Sequence, residues 1–233
     1  MAENNRILCF IGILVESACN NGTYPKQGIG FSILKGLLVN CSITSLSSTP
    51  PLISSANLDS IEKDSNENIL RTAKKIISVI KNNGTVFWCG NGGSASDSQH
   101  ISAELIGRFK KNRIPLKSIS LNSDTAAITC IANDFGYDEI FSRQLDGLGQ
   151  EGDILLPIST SGQSKNIINA INMAKTKKIS TFALLGKGGG EAIKLVDDYI
   201  HVNSDTTARV QEMHITIGHI LCDLIEEGLS LKK

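Results

Sequence analysis

His100 and Glu104 stand four residues apart in QHISAE, the interval that puts two side chains on one face of a helix. An imidazole and a carboxylate so placed can share a divalent metal. A plain surface His–Glu pair uses the same interval, so spacing alone leaves both readings open. A later stretch, VQEMHITIGHI, brings Gln211, His214 and His219 beside an apolar side; the ordinary reading there is an interior histidine. Taken together, His100, Glu104, Gln211 and His219 form a borderline-soft donor set suited to Zn²⁺. His201 falls on a strand away from these groups and is given no role.

The same residues have a chemistry in common. Glu104, partly desolvated, is a base able to lift a proton beside a carbonyl. His219 is an acid able to protonate oxygen, and a bound cation would polarise the carbonyl and hydroxyl oxygens. Base, acid and enediolate stabiliser are what aldose–ketose isomerisation requires.

Two turns could hold the substrate. Ser159-Thr160-Ser161-Gly162-Gln163-Ser164 follows an expected strand and opens an expected helix. Free N–H groups at a helix start favour an anion, and the hydroxyls add neutral donors. The competing reading is an ordinary Ser cap with a Gly turn. Without a GKS/T arrangement it is not a nucleotide P-loop. Asn91-Gly92-Gly93-Ser94 is the matching turn after the first strand. It lacks the G-x-G-x-x-G spacing of a dinucleotide site, and its paired glycines suit close approach of backbone to sugar hydroxyls.

These turns need a frame. An amphipathic helix is expected over Ile61–Lys81, with Ile69, Ala73, Ile76, Ile77 and Ile80 on one face. Strands are expected at Thr85–Cys89, Leu116–Leu121, Asp153–Ile158, Thr181–Leu185 and Tyr199–Val202. Helices are expected at Ala95–Phe109, Asp124–Asn133, Asp138–Leu148, Lys165–Lys177, Glu191–Leu195 and from about Thr206 to Leu229. Strands apolar almost throughout, alternating with helices, predict an α/β, three-layer, doubly wound domain with a five-stranded parallel sheet. Ligands in such sheets bind beyond the carboxyl ends of the strands, where both turns lie.

Residues 1–55 read differently. They hold a Ser/Thr-rich stretch and the Pro50-Pro51 breaker, with no sustained period, and a short helix around Gly30–Val39 is their one candidate element. The expected division is an atypical N-terminal segment over 1–55, which need not be well ordered, and a catalytic domain over 56–233.

The whole chain narrows the classes. Of 233 residues, 41% are hydrophobic and 20% charged, ordinary for a globular protein. Lys+Arg and Asp+Glu balance at 23 each, so no bulk field draws nucleic acid or an anionic membrane. No stretch reaches the roughly 18 apolar residues of a membrane span, and no clear signal peptide opens the chain. The six cysteines show no C-x-x-C pair, and Cys89, Cys130 and Cys222 sit in apolar runs as expected buried hydrophobes. The expected location is the cytoplasm.

CGNGGSASDSQHISAELIGRF, SDTAAITCIANDFGYDEIFSRQ, GDILLPISTSGQS and TARVQEMHITIGHILCDLIEE, in this order, closely resemble the sedoheptulose-7-phosphate (phosphoheptose) isomerases of the SIS-domain superfamily. The resemblance runs from about Leu70 to Leu229. It implies conversion of sedoheptulose 7-phosphate to D-glycero-D-manno-heptose 7-phosphate through an enediol, the first step towards the nucleotide-activated heptoses of bacterial lipopolysaccharide, capsule or surface glycans. It implies one Zn²⁺ per site, with ligands His100, Glu104, Gln211 and His219, and a homotetramer with active sites near subunit interfaces. It also implies Glu104 as base and His219 as acid. Substrate would be held by Asn91, Gly92, Gly93, Glu104, Asn133, Asp134, Ser159, Thr160, Ser161, Ser164 and Gln211. Pro157 and Gln163 depart from the family pattern, and residues 1–55 do not resemble its N-terminal helix.

Two alternatives remain: a catalytically silent SIS-domain regulator, such as relatives that bind the replication initiator, or an isomerase of another phosphosugar. The first is disfavoured by the presence of His100, Glu104 and His219 together. A geometric expectation accompanies the ligand set. Eight residues of straight helix rise about 12 Å, too far for Gln211 and His219 to reach one ion with ease. Either the helix is distorted near Gly218, or, as is favoured, ligands come from two subunits, with His100 and His219 able to complement in mixed oligomers.

Overall fold

The computed structural model describes residues 55–229, with side chains from Glu67 onward; the expectations for residues 1–54, including the short helix, lie outside the described residues. Helix α1 (Ser55–Lys81) leads to β1 (Val86–Gly90), α2 (Gly93–Ile106) and β2 (Ser118–Ser120). Helix α3 (Thr125–Phe135), a 3₁₀ turn (Tyr137–Glu139) and α4 (Ser142–Leu148) follow. Then come β3 (Ile154–Ser159), α5 (Lys165–Thr176), β4 (Ser180–Gly186), a 3₁₀ turn (Ala192–Lys194), β5 (Asp198–Val202) and α6 (Thr207–Leu229).

The five strands form one parallel sheet in the order β2-β1-β3-β4-β5. Strands β1 and β3 are buried at every residue, which is why both read as continuous apolar runs. Alternate side chains feed two cores. Val86 and Trp88 join Ile76 of α1, Ile101 of α2 and Ile217 of α6 on one face. Phe87 and Cys89 join Phe141, Leu145 of α4 and Ile171 of α5 on the other. The sheet is thus the middle of three layers, and strand order reverses between β1 and β3, the place where such sheets bind ligands.

Pro157 sits in the central strand β3, a position that a residue without an N–H rarely occupies. It pairs with Cys89 of β1, but the ladder to β4 skips from Leu155↔Thr181 to Ile158↔Leu184. The missing donor therefore falls where the ladder is already interrupted.

Three expectations differ from the structure. Asp138–Leu148 is two elements, a 3₁₀ turn and α4, because Ile140 and Phe141 between them turn into the core. Glu191–Leu195 is a single 3₁₀ turn. Cys130 is exposed, unlike Cys89 and Cys222. Helix α3 lies on the second core with Ile128, Ile131 and Ala132 only half-buried, and Cys130 falls on its exposed side. Among the described residues, no helix is long and apolar enough to cross a membrane.

Candidate active site

Helix α2 carries its reactive face outward because its inward face is built of serines. Ser94, Ser98 and Ser102 are buried with Ile101 and Leu105. Ser98 Oγ lies 2.6 Å from Ser120 Oγ, and Ser118 Oγ, which accepts from Trp88 Nε1 at 3.0 Å, donates to Ser102 Oγ at 3.0 Å. Small hydroxyl side chains draw α2 close to β1 and β2. His100 and Glu104 occupy the other side, with His100 exposed and Glu104 half-buried.

Helix α6 runs alongside in the same direction. Gln211 of α6 meets Gly93 at the start of α2, where a Cβ would lie 2.3 Å from its Nε2. Gly218 meets Ile101, and His219 meets His100 with Nε2 atoms 3.0 Å apart. Glu104 Oε1 is 3.4 Å from His100 Nε2, and one ligand atom from each of His100, Glu104 and His219 lies within 4.8 Å of the others. Two imidazole nitrogens and a carboxylate oxygen converging this closely form a donor set of the kind that holds Zn²⁺.

The expected division of ligands between subunits is not needed for three of the four residues, and Gln211 stands apart from them. His100, Glu104 and His219 converge within one chain, because α2 and α6 lie side by side. Nor is α6 broken near Gly218; it is one helix from Thr207 to Leu229, and Gly218 is where it approaches α2 most closely. Gln211 and His219 accordingly reach different levels of α2, the first at the glycine turn and the second at His100.

Electrostatics distinguish the histidines. Burial, together with His100, pulls the pKa of His219 below its ordinary value against the opposing pull of Glu104. His214 is buried, 1% exposed, and burial lowers its pKa to about 4 against a weaker opposing pull from the Leu185 backbone. It is an interior neutral histidine. Near His100 on α2, Asp97 has a buried Oδ2 with no hydrogen-bond partner, and burial raises its carboxyl to about 6.

The two turns lie at the carboxyl ends of β1 and β3. In the first, Gly92 takes φ +58°, which the turn into α2 requires. Asn91 exchanges amide hydrogen bonds with buried Asn166 at 2.9 Å each way and accepts from the Tyr137 hydroxyl at 2.9 Å. In the second, Ser159 Oγ accepts from Gly162 N at 3.0 Å and Ser161 Oγ from Gln163 N at 3.2 Å. Ser164 caps α5 by position, yet its hydroxyl makes no capping bond, which weakens the ordinary-cap reading. Thr160 is half-buried beside them. Gly162, at φ +63°, lies against the loop after β4: a Cβ there would be 2.0 Å from the Gly189 carbonyl oxygen, and Ala192 N donates to Gly162 O at 3.0 Å.

Asn133 and Asp134 lie at the exposed end of α3, where Asn133 Nδ2 donates to Asp134 Oδ1 at 2.7 Å. Tyr137, just beyond, ties this corner to Asn91. Sequence reasoning missed Tyr137, Asn166 and Asn122, whose amide accepts from Gly90 N at 3.1 Å and donates to Gly90 O at 2.9 Å. Asn166 stands in the first turn of α5 and Asn122 just past β2, so the only available signal was an amide at a strand end or helix start. It also missed Phe109, whose ring stacks on His219 with centroids 5.6 Å apart.

Fold and cleft together define a sugar-isomerase (SIS) domain, and the SIS domain family model matches residues 54–186. The chain is 50% identical over 168 residues to the phosphoheptose isomerase of Sulfurimonas denitrificans, covering 70% of this chain and 86% of that one. It is 48% identical over 166 residues to that of Helicobacter pylori, covering 71% and 86%. Among solved structures, phosphoheptose isomerases from Neisseria gonorrhoeae and Francisella tularensis align with TM-scores of 0.69 and 0.71. Each is 38% identical, over 74% of this chain and 92% of the other. The chain belongs to the phosphoheptose isomerase family.

Proposed function

We propose that residues 56–233 form the catalytic unit of an aldose–ketose isomerase that converts sedoheptulose 7-phosphate to D-glycero-D-manno-heptose 7-phosphate, feeding nucleotide-activated heptose synthesis in the cytoplasm. The observation that carries this reading is the meeting of His100, Glu104 and His219 where α2 and α6 lie side by side. The Ser159–Ser164 turn, with Ser159, Thr160, Ser161 and Ser164, receives the phosphate at the start of α5. Asn91, Gly92 and Gly93, with Asn133 and Asp134 at the end of α3, hold sugar hydroxyls. Glu104 takes the proton beside the carbonyl and returns it to the neighbouring carbon, while His219 gives a proton to the carbonyl oxygen and takes one from the adjacent hydroxyl as that becomes the new carbonyl. His100, Glu104 and His219 would hold Zn²⁺, which when bound would supply Lewis-acid polarisation of the substrate oxygens. Gln211, the fourth ligand the family resemblance implies, stands at the glycine turn and would complete the set only from a second subunit. The assembly proposed is a homotetramer with these sites near subunit interfaces.

The test is direct assay. Sedoheptulose 7-phosphate is supplied and aldose formation followed, with and without a chelator. Glu104→Gln keeps the shape and removes the proton acceptor, so turnover should fall by about 10²–10⁴. Near-wild-type turnover would remove Glu104 from the mechanism.

A further inference from the structure

We propose that Arg113 and Glu226 act as a positioning pair for this site, a buried strut that fixes the spacing of α2, bearing His100 and Glu104, against α6, bearing His219. The inference rests on the reading of Glu104 and His219 as base and acid.

The last carbonyls of a helix have no partner within it. At the end of α2, Gly107 N serves Ala103 O at 2.8 Å. One guanidinium reaches the next two: Arg113 Nη2 donates to Glu104 O at 2.8 Å, and Nη1 to Leu105 O at 2.8 Å, which also accepts from Leu116 N at 3.1 Å. Nη1 also donates to Ile114 O at 3.0 Å, and Nε to Glu226 Oε1 at 2.9 Å. A planar fork can span these acceptors; a lysine ammonium cannot.

Glu226 completes the strut from α6. Its oxygens accept from three successive backbone groups, Phe109 N and Lys110 N at 3.0 Å and Lys111 N at 2.8 Å. Burial would raise its pKa, but these N–H groups and Arg113 hold it below the ordinary carboxylate value. Both side chains are closed to water, at 1% and 0% exposure.

Each end of this network touches a residue of the site. The guanidinium grips the backbone of Glu104 itself. The turn held by Glu226 carries Phe109, whose ring stacks on His219 at 17° between planes. Glu226 lies on α6 about two turns beyond His219, on the same side. Stability alone does not call for such a pair, since apolar side chains of similar volume in place of a buried ion pair are often neutral or better. What apolar side chains cannot do is set the register of backbone groups.

The experiment compares Arg113→Met/Glu226→Leu, which leaves no lone buried charge, and Arg113→Lys with wild type. It measures the unfolding midpoint, kcat and KM on sedoheptulose 7-phosphate, and the Zn²⁺ Kd by competition with a chromophoric chelator. We expect a cooperatively folding double variant with kcat down about 10²-fold, the effect of about 1 Å of misplacement. KM should stay within about twofold, and Zn²⁺ should bind about 10-fold more weakly, as when an outer partner of a ligand is lost. Arg113→Lys should fall between, and it decides the matter if the double variant does not fold. A folded variant with wild-type kcat and wild-type Zn²⁺ Kd overturns the proposal, as does a change confined to KM. If wild type is inert on the sugar, the reading of the reaction fails, and the Zn²⁺ titration still decides the strut.

Discussion

Gly218→Ala tests whether the contact between α2 and α6 sets the chemistry. An added Cβ would lie 2.5 Å from Ile101 Cδ1 and 2.7 Å from its Cγ1. Carbon atoms rest at about 3.5–4.0 Å, so about 1 Å of room must be found. Ile101 is 1% exposed and has nowhere to turn, so the helices must part. For stability the terms nearly offset. Alanine is favoured over glycine in a helix by about 1 kcal/mol, while overpacking costs about 1–3 kcal/mol. A net loss of no more than about 2 kcal/mol follows, and the fold survives. Turnover is more sensitive, because His219 is the next residue along α6 and His100 precedes Ile101, with their Nε2 atoms 3.0 Å apart. A shift of about 1 Å there predicts a loss of about 10²-fold in kcat. Adding Ile101→Ala removes both clashing carbons and leaves the Ile101 Cβ position 4.0 Å away. The double variant should regain most of the turnover, although the core loses up to about 2–5 kcal/mol for the lost isoleucine. Steady-state kinetics beside denaturant unfolding separates the two effects. Wild-type turnover in Gly218→Ala would refute the argument, as would a double variant no more active than the single.

Other outcomes follow from the turns and the core. Ser161→Ala and Ser164→Ala each remove a neutral hydroxyl worth roughly 0.5–1.5 kcal/mol; KM should rise several-fold with kcat nearly constant, and the reverse pattern would reassign the turn. His214, with its pKa lowered to about 4, binds its proton more readily unfolded than folded. Its contribution to stability is therefore complete above about pH 6.5 and is lost as pH falls towards 4, by up to about 3 kcal/mol. Chemical denaturation across that range should show a steeper acid loss in wild type than in His214→Leu, and parallel curves would remove His214 as the cause.

The sheet was legible because β1 and β3 are buried on both faces and so carry no polar alternation. The order of turns and helices was legible from their glycines and serines. The packing of α2 was not: its inner face is Ser94, Ser98 and Ser102, and hydroxyl-lined contacts leave no apolar period to read. Helix α3 misled in the opposite sense. Its alanines, isoleucines and Cys130 look like a core stripe, but only Ile128, Ile131 and Ala132 reach the core, each half-buried, and periodicity does not say how deeply a face is covered. The His100–Glu104 pair was visible in one helical turn, and the structure brings His219 to it. The arrangement of α2 beside α6 was not visible, since it depends on contacts between residues as far apart as Arg113 and Glu226. Counting the rise along α6 correctly separated Gln211 from His219, but it did not reveal that α2 runs parallel and meets them at different levels.

The interlocking of the Ser159–Ser164 turn with the loop after β4 bears on the entropy of recognition. Gly162 has no space for a side chain beneath Gly189, and Gly190 has none beneath Ser161, where a Cβ would lie 2.5 Å from the carbonyl oxygen. The Ser159–Ser164 turn is therefore clamped by a second backbone before any anion arrives. Fixing a free residue costs roughly 1–2 kcal/mol, and here that cost falls on folding rather than on binding. On the proposed function, affinity for a phosphoryl group is then left to desolvation and hydrogen bonding, and the turn would receive its ligand without an ordering step that would slow association.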